Sequence, residues 1–292
     1  MNFNLAIVGF GVIGLEVVSK IFKSKVKKKI KILILEKDIK NIPGGVAYSQ
    51  NTSKFGFFNN PLRLSNPEFI KWIKKNKNKK LLIKYIFDVN EDWLNDWIEI
   101  NKDILLSNSK KLDEVYFPRL TYSLFLGEKL KEIINHNTHN KKNISLNFYN
   151  GELVNLAEGK NLECRTKKFS KKFSLIEKNN KIIIKKSNIK LKNFSTQKII
   201  IGNGLLPPQS INKKREVKTS NYIWDFYSEG GTLNLVKKMR DKLKNSNLLK
   251  VIFIGNKAGL LETMPEMLKF TNYHRNIKLV SISPTLLSLE KA

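Results

Sequence analysis

A chain of 292 residues with 41% hydrophobic content is long enough to bury a sizeable core, or two, which excludes a disordered protein as a whole. Its formal charge of +29 comes from 54 Lys+Arg, of which only Arg63, Arg119, Arg165, Arg215, Arg240 and Arg275 are arginine; a lysine excess spread over every segment attracts anionic ligands or membrane surfaces in a salt-dependent way, but lacks the arginine forks of a specific nucleic-acid reader. The single cysteine, Cys164, excludes an internal disulfide and a Cys-x-x-Cys redox pair, so redox chemistry requires a bound cofactor.

In chain order, Asn4 to Val8 is a short apolar run that reads as a strand. Gly9-Phe10-Gly11-Val12-Ile13-Gly14 follows, and then an amphipathic helix to about Lys25. "IKILILEKD" predicts a second buried strand ending at Glu36, so the unit is a βαβ crossover with parallel strands. Pro43-Gly44-Gly45 marks a loop, and Ser65 or Asn66 before Pro67 caps a helix through Trp72. Trp93 and Trp97, four apart, share a helix face in an inserted lid or subdomain, placed at about residues 66–115. "VYFPRLTYSLFLGEKLKEII" resumes an amphipathic helix with Pro118 near its start and Leu120, Leu124, Leu130 and Ile133 among its apolar positions. From about Ile144 to Ile201 the pattern switches to short strands with polar hairpins, a β-meander inserted before the return strand "KIIIGNGLLPP". Leu233 to Lys244 reads as a helix, "VIFIG" opens a second strand-turn-helix, and "IKLVSIS" is a closing strand. No apolar run reaches bilayer-spanning length and none follows a basic leader, which gives the expectation of a cytoplasmic protein without a membrane span.

The physical case for the glycines is specific. Gly9 permits a tight turn, Gly11 lets backbone approach a pyrophosphate, and Gly14 allows close packing of helix on strand. Phe10, Val12 and Ile13 lend the backbone between them, and the helix N-terminus presents unpaired N–H groups to phosphate. Glu36, with Lys37 beside it, ends the next strand, where a carboxylate accepts hydrogen bonds from a ribose diol and disfavours a 2′-phosphate. The pattern predicts a dinucleotide site without choosing between FAD and NAD. A tight turn without a ligand is the plainer alternative.

Other chemistries have little footing. His136, His139 and His274 lack the carboxylate or cysteine company of a metal site, and neither a nucleophile elbow nor a P-loop is present. Cys164 reads as an incidental thiol, and Trp72, Trp93, Trp97 and Trp224 as core or lid packing.

The ordered series "IVGFGVIG", "PGGVAYS", "FFNNPLRLSNPEFIKWI", "YFPRLTYSLFL" and "GNGLLPP" resembles the bacterial FAD-NAD(P)-binding family related to FAD-dependent urate hydroxylases, neighbours of the flavin-dependent N-hydroxylating monooxygenases. The resemblance covers essentially the whole chain. It implies a Rossmann-like α/β FAD domain over residues 1–247, with the helical insertion and the β-meander at about 144–200, followed by a partial NAD(P)-binding unit over 248–292. It also implies FAD on the first glycine turn, a loop at Gly45 and Val46 to Ser49 after the second strand, and a Pro118-Arg119 segment opening the later helix. Asn59 falls where the family has an asparagine; it is a ligand residue or the cap of a turn before Pro61. Arg119 pairs with a phosphate or with a surface carboxylate. Gly204 falls at a glycine against the flavin nucleotide, although Gly202-Asn203-Gly204 stands in place of the family's Ala-Thr-Gly.

The second fingerprint departs from the family pattern. Gly255 keeps the first place, Lys257 stands at the middle glycine, Leu260 at the third, and Gly259 sits one residue early, so a side chain occupies the pyrophosphate's approach. Lys257 either offers a compensating charge or marks lost nucleotide affinity. Pro284 and Thr285 stand where family members carry arginine, leaving no visible 2′-phosphate clamp, and the resembling proteins continue past Ala292. Two functions are expected: an NAD(P)H-using flavoprotein oxidoreductase of the monooxygenase kind acting on a small molecule, or a dinucleotide-binding module without turnover. Nonspecific nucleic-acid binding through the lysines is a third, weaker expectation.

Overall fold

The computed structural model of the chain describes residues 1–24, 28–49, 56–89, 91–107, 109–139, 143–179, 181–202, 204, 223, 231–246, 248–254 and 276–282. The chain divides into two compact units, one of Met1–Ser53 with Leu120–Leu206 and one of Lys54–Arg119 with Pro207–Ala292.

The first unit is built on strands β1 (Asn2–Val8) and β2 (Ile30–Glu36), joined through helix α1 (Val12–Lys23). The strands pair in parallel, Leu5 opposite Ile32 through Val8 opposite Leu35. Ile32 to Leu35 are all buried, the signature of a strand covered on both faces. Helix α1 sinks Gly14, Leu15, Val18 and Ser19 and ends with Lys20 and Lys23, cations that suit the negative end of the helix dipole. A short helix α2 (Gly45–Tyr48) forms where the sequence pattern reads as a loop.

Helix α6 (Arg119–His139) leads to β3 (Ile144–Asn150), and then β4 (Leu153–Ala157), β5 (Leu162–Lys178) and β6 (Lys181–Ile201) complete the sheet. The strand order is β3-β2-β1-β6-β5-β4, with β3 also pairing β5. The β3-β2-β1-β6 part is parallel, whereas β4, β5 and the outer length of β6 are antiparallel. Of the short strands expected here, β3 and β4 are short, whereas β5 and β6 are long, 17 and 21 residues. The polar residues between "KIIIKK" and "KIIIGNG" shift the register of the β5–β6 ladder at two places without ending the strand, because an irregularity bends a strand while pairing resumes beyond it. Phe3, Ala6, Leu33, Leu35, Tyr149, Cys164, Leu191 and Phe194 form one core cluster, so the meander packs on the parallel strands.

The second unit contains α3 (Pro67–Ile73), α4 (Asn76–Val89) and α5 (Asp92–Leu106). Asn66, rather than Ser65, caps α3: its Oδ1 accepts from the Glu68 and Phe69 amides at 2.8 and 3.4 Å. Trp97 is buried, donates from Nε1 to the Tyr116 carbonyl at 3.0 Å and lies edge-on to Phe117. The same unit holds α7 (Gly231–Leu243) and the parallel pair β7 (Leu249–Ile254) and β8 (Ile277–Ile282), around a core of Leu235 and Met239.

Candidate functional site

At the carboxyl end of β1 the backbone turns sharply. Gly9 has φ +88°, a left-handed value that favours glycine, and its N–H donates to the Leu35 carbonyl at 2.8 Å. Phe10 is buried edge-on to Phe148, 5.5 Å between ring centres. The Phe10 N–H donates to Glu36 Oε2 at 2.6 Å, and Glu36 Oε1 accepts from the Asp38 N–H at 2.9 Å. One carboxylate thus ties the end of β2 to the glycine turn. Burial pushes the Glu36 carboxyl up from its ordinary range, and the hydrogen bonds from Phe10 and Asp38 pull against that rise. An ionised carboxylate accepts about four hydrogen bonds, so these two leave Glu36 acceptor capacity.

Helix α1 then starts with no side-chain cap on Gly11 and no acid in its first turn. Its leading N–H groups and the positive end of its dipole are suited to an anion. Gly14 has no room for a side chain: a Cβ there would lie 2.6 Å from the Gly9 carbonyl oxygen and 3.1 Å from the Phe10 ring. Gly11 has a second task that spacing does not reveal. A Cβ on it would lie 3.3 Å from Gly45 Cα, and Gly45 itself has φ +64°, so the two glycine loops meet backbone to backbone. The loop after β2 is further held by Tyr48, whose ring lies 5.0 Å from that of Tyr122 on α6.

The third element is the end of β6. Val8 is opposite Ile201, and the Gly202 N–H donates to the Val8 carbonyl at 2.7 Å. Gly204 has φ +74°, and no heavy atom of the described residues lies within 4 Å of the place a Cβ would take. Gly9 to Gly14, Glu36, Gly45 and Gly202 therefore converge at the carboxyl ends of β1, β2 and β6, with β2 on one side of β1 and β6 on the other. In open α/β sheets that reversal of strand order is where ligands bind. Three apolar side chains edge the site and stay exposed: Ile13 at 58%, Val46 at 39% and Ile201 at 53%. Ile201 escaped the sequence reading; its signal is its place as the last apolar residue before Gly202.

Lys37 pairs with Glu152 at 3.1 Å, and this hydrogen bond is the main cause of a Glu152 carboxyl held below its ordinary range. Asn59 and Arg119 belong to the second unit, at either end of a short antiparallel contact. There Phe58 donates to the Phe117 carbonyl at 2.8 Å and Arg119 donates from its amide to Gly56 at 2.7 Å. The Arg119 Nε donates to the Phe57 carbonyl at 3.0 Å, a partner neither sequence reading named, and Asn59 is exposed. Gly255, Lys257 and Gly259 lie outside the described residues, as does Asn203. Cys164 is buried, and burial first, then Glu163, pushes its thiol up, the opposite of an activated nucleophile. An open cleft of about 520 Å³ lies within the second unit, lined by residues including Phe57, Trp97, Asn101, Lys111 and Tyr116; none of the glycines contributes to it.

Residues 6–170 match the model of the FAD-NAD(P)-binding family. The chain belongs to that family. No curated protein matches it. Among solved structures, its fold is similar to the FAD-bound cadaverine monooxygenase of the desferrioxamine biosynthetic pathway from Erwinia amylovora, at 9% identity and a TM-score of 0.50. That match covers 97% of this chain and 51% of the other. It is also similar to the ornithine N-hydroxylase of Kutzneria sp. 744 in complex with reduced FAD, NADP⁺ and L-ornithine, at 11% identity and a TM-score of 0.51, covering 98% of this chain and 54% of the other. The chain thus spans about half the length of these two structures. Among the described residues no helix is long and apolar enough to cross a membrane.

Proposed function

We propose that this member of the FAD-NAD(P)-binding family is an FAD-dependent oxidoreductase of the monooxygenase kind, reduced by NAD(P)H and acting on a small molecule. The observation that carries the reading is the convergence at the end of β1 of a positive-φ Gly9, an uncapped α1 N-terminus and a Glu36 carboxylate with acceptor capacity to spare. These residues fit the group: the first turn of α1 suits a pyrophosphate, and Glu36 suits a ribose diol while disfavouring a 2′-phosphate. The exposed Ile13, Val46 and Ile201 give flat apolar rings something to lie against.

Bound FAD would supply the redox chemistry, hydride acceptance and reaction with dioxygen. The chain's own part is binding, orientation and exclusion of water. Glu36 keeps the glycine turn in register through the Phe10 amide, and Gly11 and Gly45 allow the two loops to close together. The division into an FAD part over 1–247 and the start of a nicotinamide-nucleotide part from 248 belongs to the same proposal, with Gly255 and Gly259 on the second turn.

A second reading, a dinucleotide-binding module without turnover, rests on Lys257, which stands where the second fingerprint has its middle glycine. Anaerobic addition of NADH or NADPH to the FAD-loaded protein separates the two. Rapid bleaching of the flavin absorbance is the outcome expected of the oxidoreductase, whereas bound FAD that resists both nucleotides would leave the module.

A further inference from the structure

The antiparallel end of the sheet carries a second feature, independent of the flavin reading. From Leu162 to Ile201 the chain has twelve Lys and Arg and only two acids, Glu163 and Glu177, against +29 over the whole 292 residues. The distal part of this ribbon places like charges directly opposite each other, Lys178 across from Lys181 and Lys171 across from Lys190. Such pairs oppose strand pairing unless a counter-charge sits over them. Lys190 and Lys192 both lie over the ring of Phe169, at 5.8 and 5.6 Å, and Phe169 is 58% exposed.

Lysines on a ribbon edge also keep it from pairing with another chain, and that task needs no exposed apolar residues. Yet the directly paired Ile176 and Ile183 are both exposed, as is Ile189. They share the ribbon with Phe173 and Leu175, which are buried, and Glu177 accepts a hydrogen bond from Asn135 of α6 at 2.7 Å. One face of the ribbon is thus anchored, while an aliphatic pair flanked by Lys178, Lys181 and Lys185 is left to solvent.

We propose that the ribbon end docks on an anionic lipid surface, with Ile176 and Ile183 entering the headgroup boundary and the flanking lysines over acidic headgroups. Charge complementarity points to an anionic partner. The choice of lipid over nucleic acid follows from compact lysine ammonium groups, with Arg165 the only arginine fork, and from aliphatic rather than base-stacking side chains at the tip.

The test is co-sedimentation of the full chain with vesicles of phosphatidylcholine alone or containing about 30 mol% phosphatidylserine. Binding to the anionic vesicles at low salt, its loss at high salt and no binding to neutral vesicles are expected. The variant K171Q/K178Q/K181Q/K190Q is expected to lose at least about tenfold in binding, and I176S/I183S, with charge unchanged, several-fold. Circular dichroism spectra and melts that match the wild type show that the variants are folded. Equal binding by wild type and the four-lysine variant would overturn the proposal by assigning attraction to the general charge. Failure to bind anionic vesicles would overturn it too, and ribbon-dependent binding to a homopolymeric RNA in that case would assign the surface to nucleic acid.

Discussion

Strand β6 serves two regions that ask opposite things of their residues. Its last seven residues, Ser195 to Ile201, lie in parallel register with β1 and deliver Gly202 to the glycine turn, where backbone touches backbone. Its first twelve run in the ribbon, where Lys181, Lys185, Lys186, Lys190 and Lys192 are exposed. At the turn that the first region meets, a methyl group on Gly14 has no space; in the second, the exposed lysines can change without disturbing the core. The charge that dominates the composition therefore says little about the fold, and a few uncharged glycines decide where a ligand fits.

Substitutions in the two regions are expected to differ widely in their cost. Gly14→Val drives a branched side chain into the Gly9 carbonyl and the Phe10 ring, and is expected to cost about 3 kcal/mol or more by urea denaturation, with loss of FAD. Glu16→Ala comes next, since it removes the carboxylate paired with the Lys129 ammonium, whose side chain is 5% exposed and lies 2.5 Å from Glu16 Oε1. The partner is itself 23% exposed, so about 2 kcal/mol is expected, largely recovered in Glu16→Ala/Lys129→Met. Glu36→Gln keeps the shape but removes the charge, and is expected to weaken FAD binding roughly 10- to 100-fold in a fluorescence titration. Lys185→Gln, by contrast, is expected to move stability by less than about 0.5 kcal/mol and leave FAD binding unchanged.

Glu36 also sets a pH dependence whose sign is fixed. Its carboxyl is raised in the folded protein, so between the ordinary carboxylate range and that raised value the native state holds more protons than the unfolded one, and stability of the cofactor-free protein falls as pH rises through this window. FAD binding runs the other way, since ribose hydroxyls donate to the ionised form. FAD affinity is therefore expected to drop as pH falls through the raised value, and Glu36→Gln to flatten that step. A wild-type affinity independent of pH across this window would break the assignment of Glu36 to the diol.

Much of the site was legible because its constraints are local. Gly9 and Gly14 follow from the geometry of a strand-to-helix turn, and Glu36 from its place at the end of the next strand. The approach of Gly45 to Gly11 was not legible, because it joins loops 34 residues apart and depends on how the segment after Pro43 folds back. The length of β5 and β6 was missed for a different reason. Lysine, asparagine and serine in "KKSNIKLKNFS" read as turns, yet the strand absorbs them in two register shifts opposite β5 and pairing resumes on either side. The pairing of Lys37 with Glu152 likewise needed the fold, which brings the ends of β2 and β3 side by side.

The central claim is that the turn from Gly9 to Gly14 holds FAD. The most direct measurement is the visible spectrum of the purified protein, together with the identity and amount of cofactor released on denaturation. One FAD per chain is the result expected. A colourless protein that takes up no added FAD would contradict it and leave the glycines as a packing turn between β1 and α1.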